Sequence, residues 1–462
     1  MIYLIVGHRG TGKTALLSRM QIYFENRVKC IDLDEQVEFT SGCKIGTIFE
    51  KNGEQYFRKL EIEALKQLCA HHVTNERLLL ISLGAGFSLS AIADIQRSTS
   101  AIKVLWLKRI TDKLGRIFFD RPRILKEKSS LDESKILYES RNIQFKQFSD
   151  IEVEIPEGFD FLNSFEKSYF SKLFFPKDAD CHEPNTYMTL FPKDLSRLDS
   201  LLALGLGVEL RTDILNSEQV ASAVKCIPAE SLLYSVRTKD GSSTSALSIL
   251  PSSIKIDYAL ENSSSPEQLF AISNLYSISA HNYNVVDGIQ ALEDIEVLAS
   301  KLDKNIILKL SPEITSFSEL LIGHNWAVKN SKWRTFLPRR SGQLSWYRLY
   351  AKGKFAYEFV REGNDEQRDL PNYLEWSRVP NKSSQFAAVL GYPIEHSLSP
   401  ATHFYFFAEN FSGAPFFSIP VQRHERDEAL KVLTSLGLIC AALTSPIKEK
   451  NGANTLFFDR NR

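Results

Sequence analysis

The sequence predicts an α/β protein of successive β-α units, and three observations point to it. Gly7-His8-Arg9-Gly10-Thr11-Gly12-Lys13-Thr14 reads G-x-x-x-x-G-K-T between an apolar run, Tyr3-Leu4-Ile5-Val6, and a helical stretch, Ala15-Leu16-Leu17-Ser18-Arg19-Met20. Between residues 183 and 378, short apolar runs alternate with helical stretches in eight β-units. Breaks near Phe175-Pro176-Lys177-Asp178 and Asn381-Lys382-Ser383-Ser384 divide the chain, and its 462 residues suit roughly three domains.

Composition narrows the function classes. Lys plus Arg and Asp plus Glu each number 56, so the net charge is zero and no nucleic-acid-binding field is expected. No apolar run approaches the ~20 residues that span a bilayer, so no membrane partner is expected. The N-terminus enters the first strand at once, which leaves no room for a signal peptide. Six cysteines (Cys30, Cys43, Cys69, Cys181, Cys226 and Cys440) are scattered without a CxxC pair and read as reduced thiols. The expectation is a cytoplasmic protein.

The glycine-rich stretch follows a buried strand and opens a helix, the context that makes the pattern a phosphate cradle. Gly7, Gly10, Thr11 and Gly12 direct backbone N–H groups at phosphate oxygens, and the helix N-terminus adds a favourable dipole. Lys13 reaches the β- and γ-phosphates, and the Thr14 hydroxyl ligates Mg²⁺. Lys29-Cys30-Ile31-Asp32-Leu33-Asp34 then reads as a short strand ending in two carboxylates at i and i+2. Alternation would put both on one side, one near the metal and one near the acceptor. Gly53–Glu61 opens a helix with a cation and an anion at i, i+3. Leu78–Leu83 reads as a buried strand running into Gly84-Ala85-Gly86, Val104–Leu107 as the next strand, and Asp120-Arg121-Pro122-Arg123 as a lid.

Over about residues 1–170 these motifs, in this order, resemble shikimate kinases. The resemblance implies a P-loop kinase domain over 1–172 that uses ATP and Mg²⁺, with Asp32 assisting the metal. It further implies that Asp34 holds the acceptor hydroxyls, that Arg58 and Arg141 clamp the shikimate carboxylate, and that Arg121 closes over the transferred phosphate. Gly84 and Gly86 would let the backbone approach the ring. Ala85 stands where that family has the middle glycine of a triplet, and a positive φ there would cost about 1 kcal/mol.

In the middle region we read strands at 185–191, 207–213, 231–237, 253–260, 274–281, 305–311, 332–338 and 354–360, the pattern of a (β/α)₈ barrel. Glu209, Arg211, Arg237, Asp257, His281 and Lys309 fall toward strand C-termini, where barrels gather catalytic groups. Apolar neighbours in Ile306-Ile307-Leu308-Lys309-Leu310 would lower the Lys309 pKa by desolvation, which suits Schiff-base formation, and His281 could shuttle protons.

Val208-Glu209-Leu210-Arg211-Thr212-Asp213, Ser277-Ile278-Ser279-Ala280-His281 and the lysine strand resemble type I 3-dehydroquinate dehydratases. That resemblance covers 183–378 and implies dehydration of 3-dehydroquinate through an iminium on Lys309, with His281 as acid/base and Glu209, Arg211 and Arg237 binding substrate. Asp240 stands one position early for a family glutamate, and Ala259 replaces an acidic partner of Asp257. Trp346 stands where the family has a substrate arginine, for which Arg339, Arg340 or Arg348 could substitute. The family's closing loop is not recognisable around Gln367-Arg368-Asp369-Leu370-Pro371.

From 385 to 462, Ala388–Pro400, Ala442–Lys448 and Gly452–Leu456 resemble the substrate lobe of shikimate dehydrogenases. The resemblance implies a small α/β lobe lacking its Rossmann partner, with Ser397 and Ser399 on a carboxylate, Lys448 catalytic and Asn454 touching substrate. No Gly-x-Gly-x-x-Gly follows, so no NADPH site is expected on this chain alone. The lobe is a vestige, a shikimate-binding module, or half of a site completed by a separate dehydrogenase polypeptide.

The order kinase, dehydratase, dehydrogenase is that of the C-terminal part of the pentafunctional arom polypeptides, and equally of the fungal quinate-pathway repressors. Two readings follow. One is an aromatic-biosynthesis enzyme. The other is a non-catalytic sensor or scaffold.

Overall fold

The structure, a computed structural model, describes residues 1–72, 77–98, 101–109, 127, 129–155, 166–175, 183–202, 204–237, 253–263, 265–361, 369–394, 397, 399, 403, 406–407, 410–411, 413–448 and 455–457. Arg121, Asp240 and Asn454 lie outside these residues, as do the lid segment and Gln367-Arg368 of the 367–371 loop.

Met1–Phe174 form one compact unit. Its sheet runs β2 (Val28–Asp32), β3 (Leu78–Ser82), β1 (Ile2–Val6), β4 (Ile102–Arg109), β5 (Ile151–Ile155), all parallel. β1 and β3 are buried along their whole length. That explains their unbroken apolar runs, since a sheet covered on both faces has no polar side. β1, β2 and β3 are neighbours, so the loops at their carboxyl ends meet at one edge, where open α/β sheets bind ligands. Helix α1 (Lys13–Phe24) follows β1 directly, with Gly12 capping it at φ 95°.

The structure corrects one expectation here. β2 stops at Asp32, and helix α2 (Leu33–Ser41) begins at the next residue, so Asp34 sits in a helical first turn rather than on the strand. The cause is local: the Asp32 carboxylate accepts from Asp34 N at 3.1 Å, an N-cap bond favourable enough to end the strand. Ala85 is not among the described residues with positive φ, so the strain that such a φ would bring does not arise.

Phe175–Arg462 form a second compact unit. Eight parallel strands, β6 (Glu183–Thr189), β7 (Leu206–Arg211), β8 (Leu232–Val236), β9 (Lys255–Ala259), β10 (Leu275–Ala280), β11 (Ile307–Leu310), β12 (Arg334–Phe336) and β13 (Glu358–Val360), make one sheet in which β13 pairs with β6. Ala356 N donates to Arg334 O at 3.3 Å, which brings the chain leading into β13 against β12 and closes the barrel. Each of the eight runs read as strands overlaps one of these. A smaller sheet follows in the order β15 (Phe416–Pro420), β14 (Phe386–Gly391), β16 (Leu438–Leu443), β17 (Thr455–Phe457), with only the last pair antiparallel. No helix among the described residues is long and apolar enough to cross a membrane.

Candidate active sites

In the first unit a cavity of about 340 Å³ is lined by the glycine loop, Lys13, Thr14, Asp32, Asp34, Ser82 and Gly84-Ala85. Lys13 Nζ donates to Gly7 O and His8 O, both at 2.9 Å. Asp32 is the hub: its Oδ2 accepts from Thr14 Oγ1 and Ser82 Oγ, both at 3.0 Å, while its Oδ1 caps α2. Thr14 and Asp32 thus offer two hard oxygen donors side by side, which fits Mg²⁺. Asp34 Oδ1 is buried without a hydrogen-bond partner. Burial, and then the neighbouring Asp32, push the Asp34 pKa above the ordinary carboxylate value.

Helix α4 (Glu54–His72) carries the predicted i, i+3 pair: Arg58 Nη1 meets the buried Glu61 at 2.7 Å, and Arg58 Nη2 meets Glu54 at 2.9 Å. A Cβ on Gly86 would come within 2.2 Å of Arg58 Nη2, and one on Gly84 within 3.2 Å of Asp34 Oδ1. Both glycines therefore permit a close approach between backbone and charged groups. Helix α6 (Ser130–Phe148) brings in Arg141, whose Nη2 donates to Phe87 O at 2.9 Å just past that turn. Arg141's pKa is lowered by burial and then by the charge of Arg58. Sequence reasoning missed Ser82 as a partner of Asp32, because it belongs to no local pattern that advertises the contact.

The barrel cavity is larger, about 550 Å³, and is lined by Glu209, Arg211, Arg237, Lys309, Arg339, Arg348 and Phe359 among others. Glu209, Asp257 and Lys309 lie within their strands and point inward, and each is almost fully buried. Lys309 forms a short ion pair with Asp257 and lies over the Phe359 ring at 4.7 Å. Burial, with a further push from Arg237, lowers the Lys309 pKa to about 8 despite Asp257 and Glu209. Burial alone would raise the Asp257 pKa, but Lys309 and Arg237 hold it below the ordinary value. Glu209 accepts from Thr189 Oγ1 (2.6 Å), Ser235 Oγ (2.7 Å) and Arg237 Nη2 (3.0 Å). Arg211 is held by Asp213 at 2.6 Å.

His281 follows β10, nine-tenths buried, with Nδ1 3.2 Å from Arg237 Nη1 and Nε2 without a partner. Burial, then Arg237 and Lys309, drive its pKa well below the ordinary value. It is not among the residues lining the cavity. Trp346 is not a substrate contact. It is 3 % exposed and packs on Tyr347 and Phe386, a large ring in core space. Of the three arginines that could substitute, Arg339 and Arg348 line the cavity, whereas Arg340 is paired with Glu425. In the smaller sheet's region, Ser399 N donates to Ser397 Oγ at 3.3 Å, and Lys448 is exposed.

Comparison with known proteins places the first unit. The shikimate kinase family model matches residues 9–157. The shikimate kinase of Geobacillus kaustophilus is 33% identical over 146 residues, 30% of this chain and 71% of that protein. The shikimate kinase of Aquifex aeolicus is 34% identical over 160 residues, 33% of this chain and 85% of that protein. Among solved structures, the dehydroquinate dehydratase and shikimate dehydrogenase of S. pombe AroM aligns over 57% of each chain, at 18% identity and a TM-score of 0.32.

Proposed function

This chain belongs to the shikimate kinase family, and we propose that its first unit transfers the γ-phosphoryl group of ATP to a hydroxyl of shikimate. The observation that carries the reading is Asp34, whose Oδ1 is buried and unpartnered in the cavity that also holds Lys13. A raised pKa makes it a better acceptor for the hydroxyl proton. Lys13 and the loop N–H groups hold the phosphates. Thr14 and Asp32 hold Mg²⁺, which when bound neutralises phosphate charge. Arg58 and Arg141 orient the acid through its carboxylate, a task suited to the planar guanidinium, and Arg121 is assigned to the transferred phosphate. The purified chain with ATP, Mg²⁺ and shikimate should release ADP in a coupled assay. No shikimate-dependent ADP release would refute the assignment.

For the barrel we infer Schiff-base dehydration of 3-dehydroquinate. The Lys309 amine adds to the ketone and water leaves to give an iminium. A proton α to it is then removed, hydroxide departs with a proton, and hydrolysis returns the lysine. Glu209, Arg211 and Arg237 would grip the substrate, with His281 as acid/base. Borohydride reduction with 3-dehydroquinate or its product should place an adduct on Lys309 by mass spectrometry. An unmodified Lys309 at saturating ligand would favour the second reading, a non-catalytic metabolite sensor or scaffold. The observation that favours that reading is Trp346, a ring packed on Phe386 where the resemblance implies a substrate arginine. In the smaller sheet's region, Ser397 and Ser399 are assigned to a carboxylate, with Lys448 beside it.

A further inference from the structure

The barrel and the four-stranded sheet share a buried seam. The Phe386 ring of β14 lies 6.2 Å from Trp346 and 5.2 Å from Tyr350, and Tyr350 OH donates to Leu436 O at 2.7 Å. Beside this apolar contact sits a charged one: Arg340 pairs with Glu425, which is 5 % exposed. Glu425 is itself fixed, since its Oε2 accepts from Gln422 N at 3.0 Å in a capping box.

Arg340 belongs to the loop that follows β12. Asp369 anchors one side of this loop, accepting from Arg340 N at 3.1 Å and Leu344 N at 2.9 Å. Glu425 anchors the other. The loop needs anchoring, because Ser341 has φ 46°, a conformation that only surrounding structure maintains in a residue with a side chain. The neighbouring Arg339 lines the barrel cavity beside Lys309, with Nε on Ser311 O at 3.1 Å and Nη2 on His281 O at 2.9 Å. Those partners are backbone carbonyls, and the guanidinium charge is otherwise met only through space by Glu313 and Asp369 of the same cavity wall.

We propose that the four-stranded sheet buttresses the barrel: Glu425, acting through Arg340, holds the loop so that Arg339 stands in the cavity wall. Glu425 and Arg340 are then positioning residues for a carboxylate-bearing ligand. This role gives the last segment a function that needs no chemistry of its own. It rests on the barrel reading only for the identity of the ligand.

The test uses the full chain carrying Glu425→Gln. Removing one partner of a buried charge pair should speed hydrogen exchange at the Arg340 and Leu344 amides about tenfold, with the Tyr234 amide of β8 unchanged. The half-saturating concentration of 3-dehydroshikimate for borohydride trapping at Lys309 should rise about tenfold at an unchanged limiting rate. Arg340→Gln, which leaves the bond from Gln422 N to Glu425 in place, should reproduce both changes, and shikimate kinase turnover should not move in either variant. Wild-type exchange at both amides in Glu425→Gln would overturn the proposal, as would wild-type half-saturation in Arg340→Gln. A wild-type chain that is never trapped would sink the imine reading alone, and exchange at the two amides would still decide this one.

Discussion

The two cavities hold their key lysines in opposite ways. Lys13 rests on two backbone carbonyls at the end of a glycine loop, whereas Lys309 is buried inside a barrel against a carboxylate. The first can transfer its charge to a phosphate by giving up two neutral acceptors. The second is already neutralised and becomes a nucleophile only by losing a proton. A loop site is built to bind charge, and an interior site is built to modulate it.

The largest effect that would break this contrast is on stability. Lys309→Met should strip buried Asp257 of its nearest counter-charge, leaving Arg237 at 3.8 Å and the Ser277 hydroxyl at 2.8 Å, and destabilise the second unit by about 3 kcal/mol, measured by denaturant unfolding. Lys13→Ala should change stability little but cost about 10²–10³-fold in kcat for shikimate phosphorylation, as one preorganised donor at a developing charge does. A Lys309 variant as stable as the parent would mean the two lysines are held alike.

Arg58→Lys sharpens the comparison within the kinase cavity. A point charge cannot serve Glu54, Glu61 and a carboxylate together, so KM for shikimate should rise about tenfold or more with kcat less affected. The barrel's own signature is pH dependence. With the Lys309 pKa lowered to about 8, the free amine is the minor form at neutral pH. Trapping should therefore rise about tenfold per pH unit below that value and level off above it. A profile still climbing at pH 10 would show an ordinary lysine. The smallest expected change is Gly86→Ala, whose methyl must displace Arg58 Nη2 from 2.2 Å. Because that group is the end of a flexible side chain, a few-fold rise in KM is the expected scale.

Both cavities were legible in the sequence to different depths. Gly7–Thr14 carried its meaning in one contiguous stretch, because a phosphate cradle is made by consecutive backbone amides between a strand and a helix. The eight barrel strands were legible because short, mostly apolar runs alternate with helical stretches, and Lys309 stood out as a charge among apolar neighbours. Asp34 was misread as a strand residue because an N-cap bond formed by Asp32 competes with strand extension and leaves the alternation pattern looking unchanged.

What tertiary structure alone decided were the pairings. Asp257 as counter-charge to Lys309, Ser82 as partner of Asp32, Trp346 as core rather than contact, and Arg340 as partner of Glu425 are all contacts between distant positions. Periodicity and local motifs record which residues face inward or repeat along one element. They do not record which inward-facing residue of another element lies opposite, since strand order, register and packing across a seam settle that only once the chain has closed.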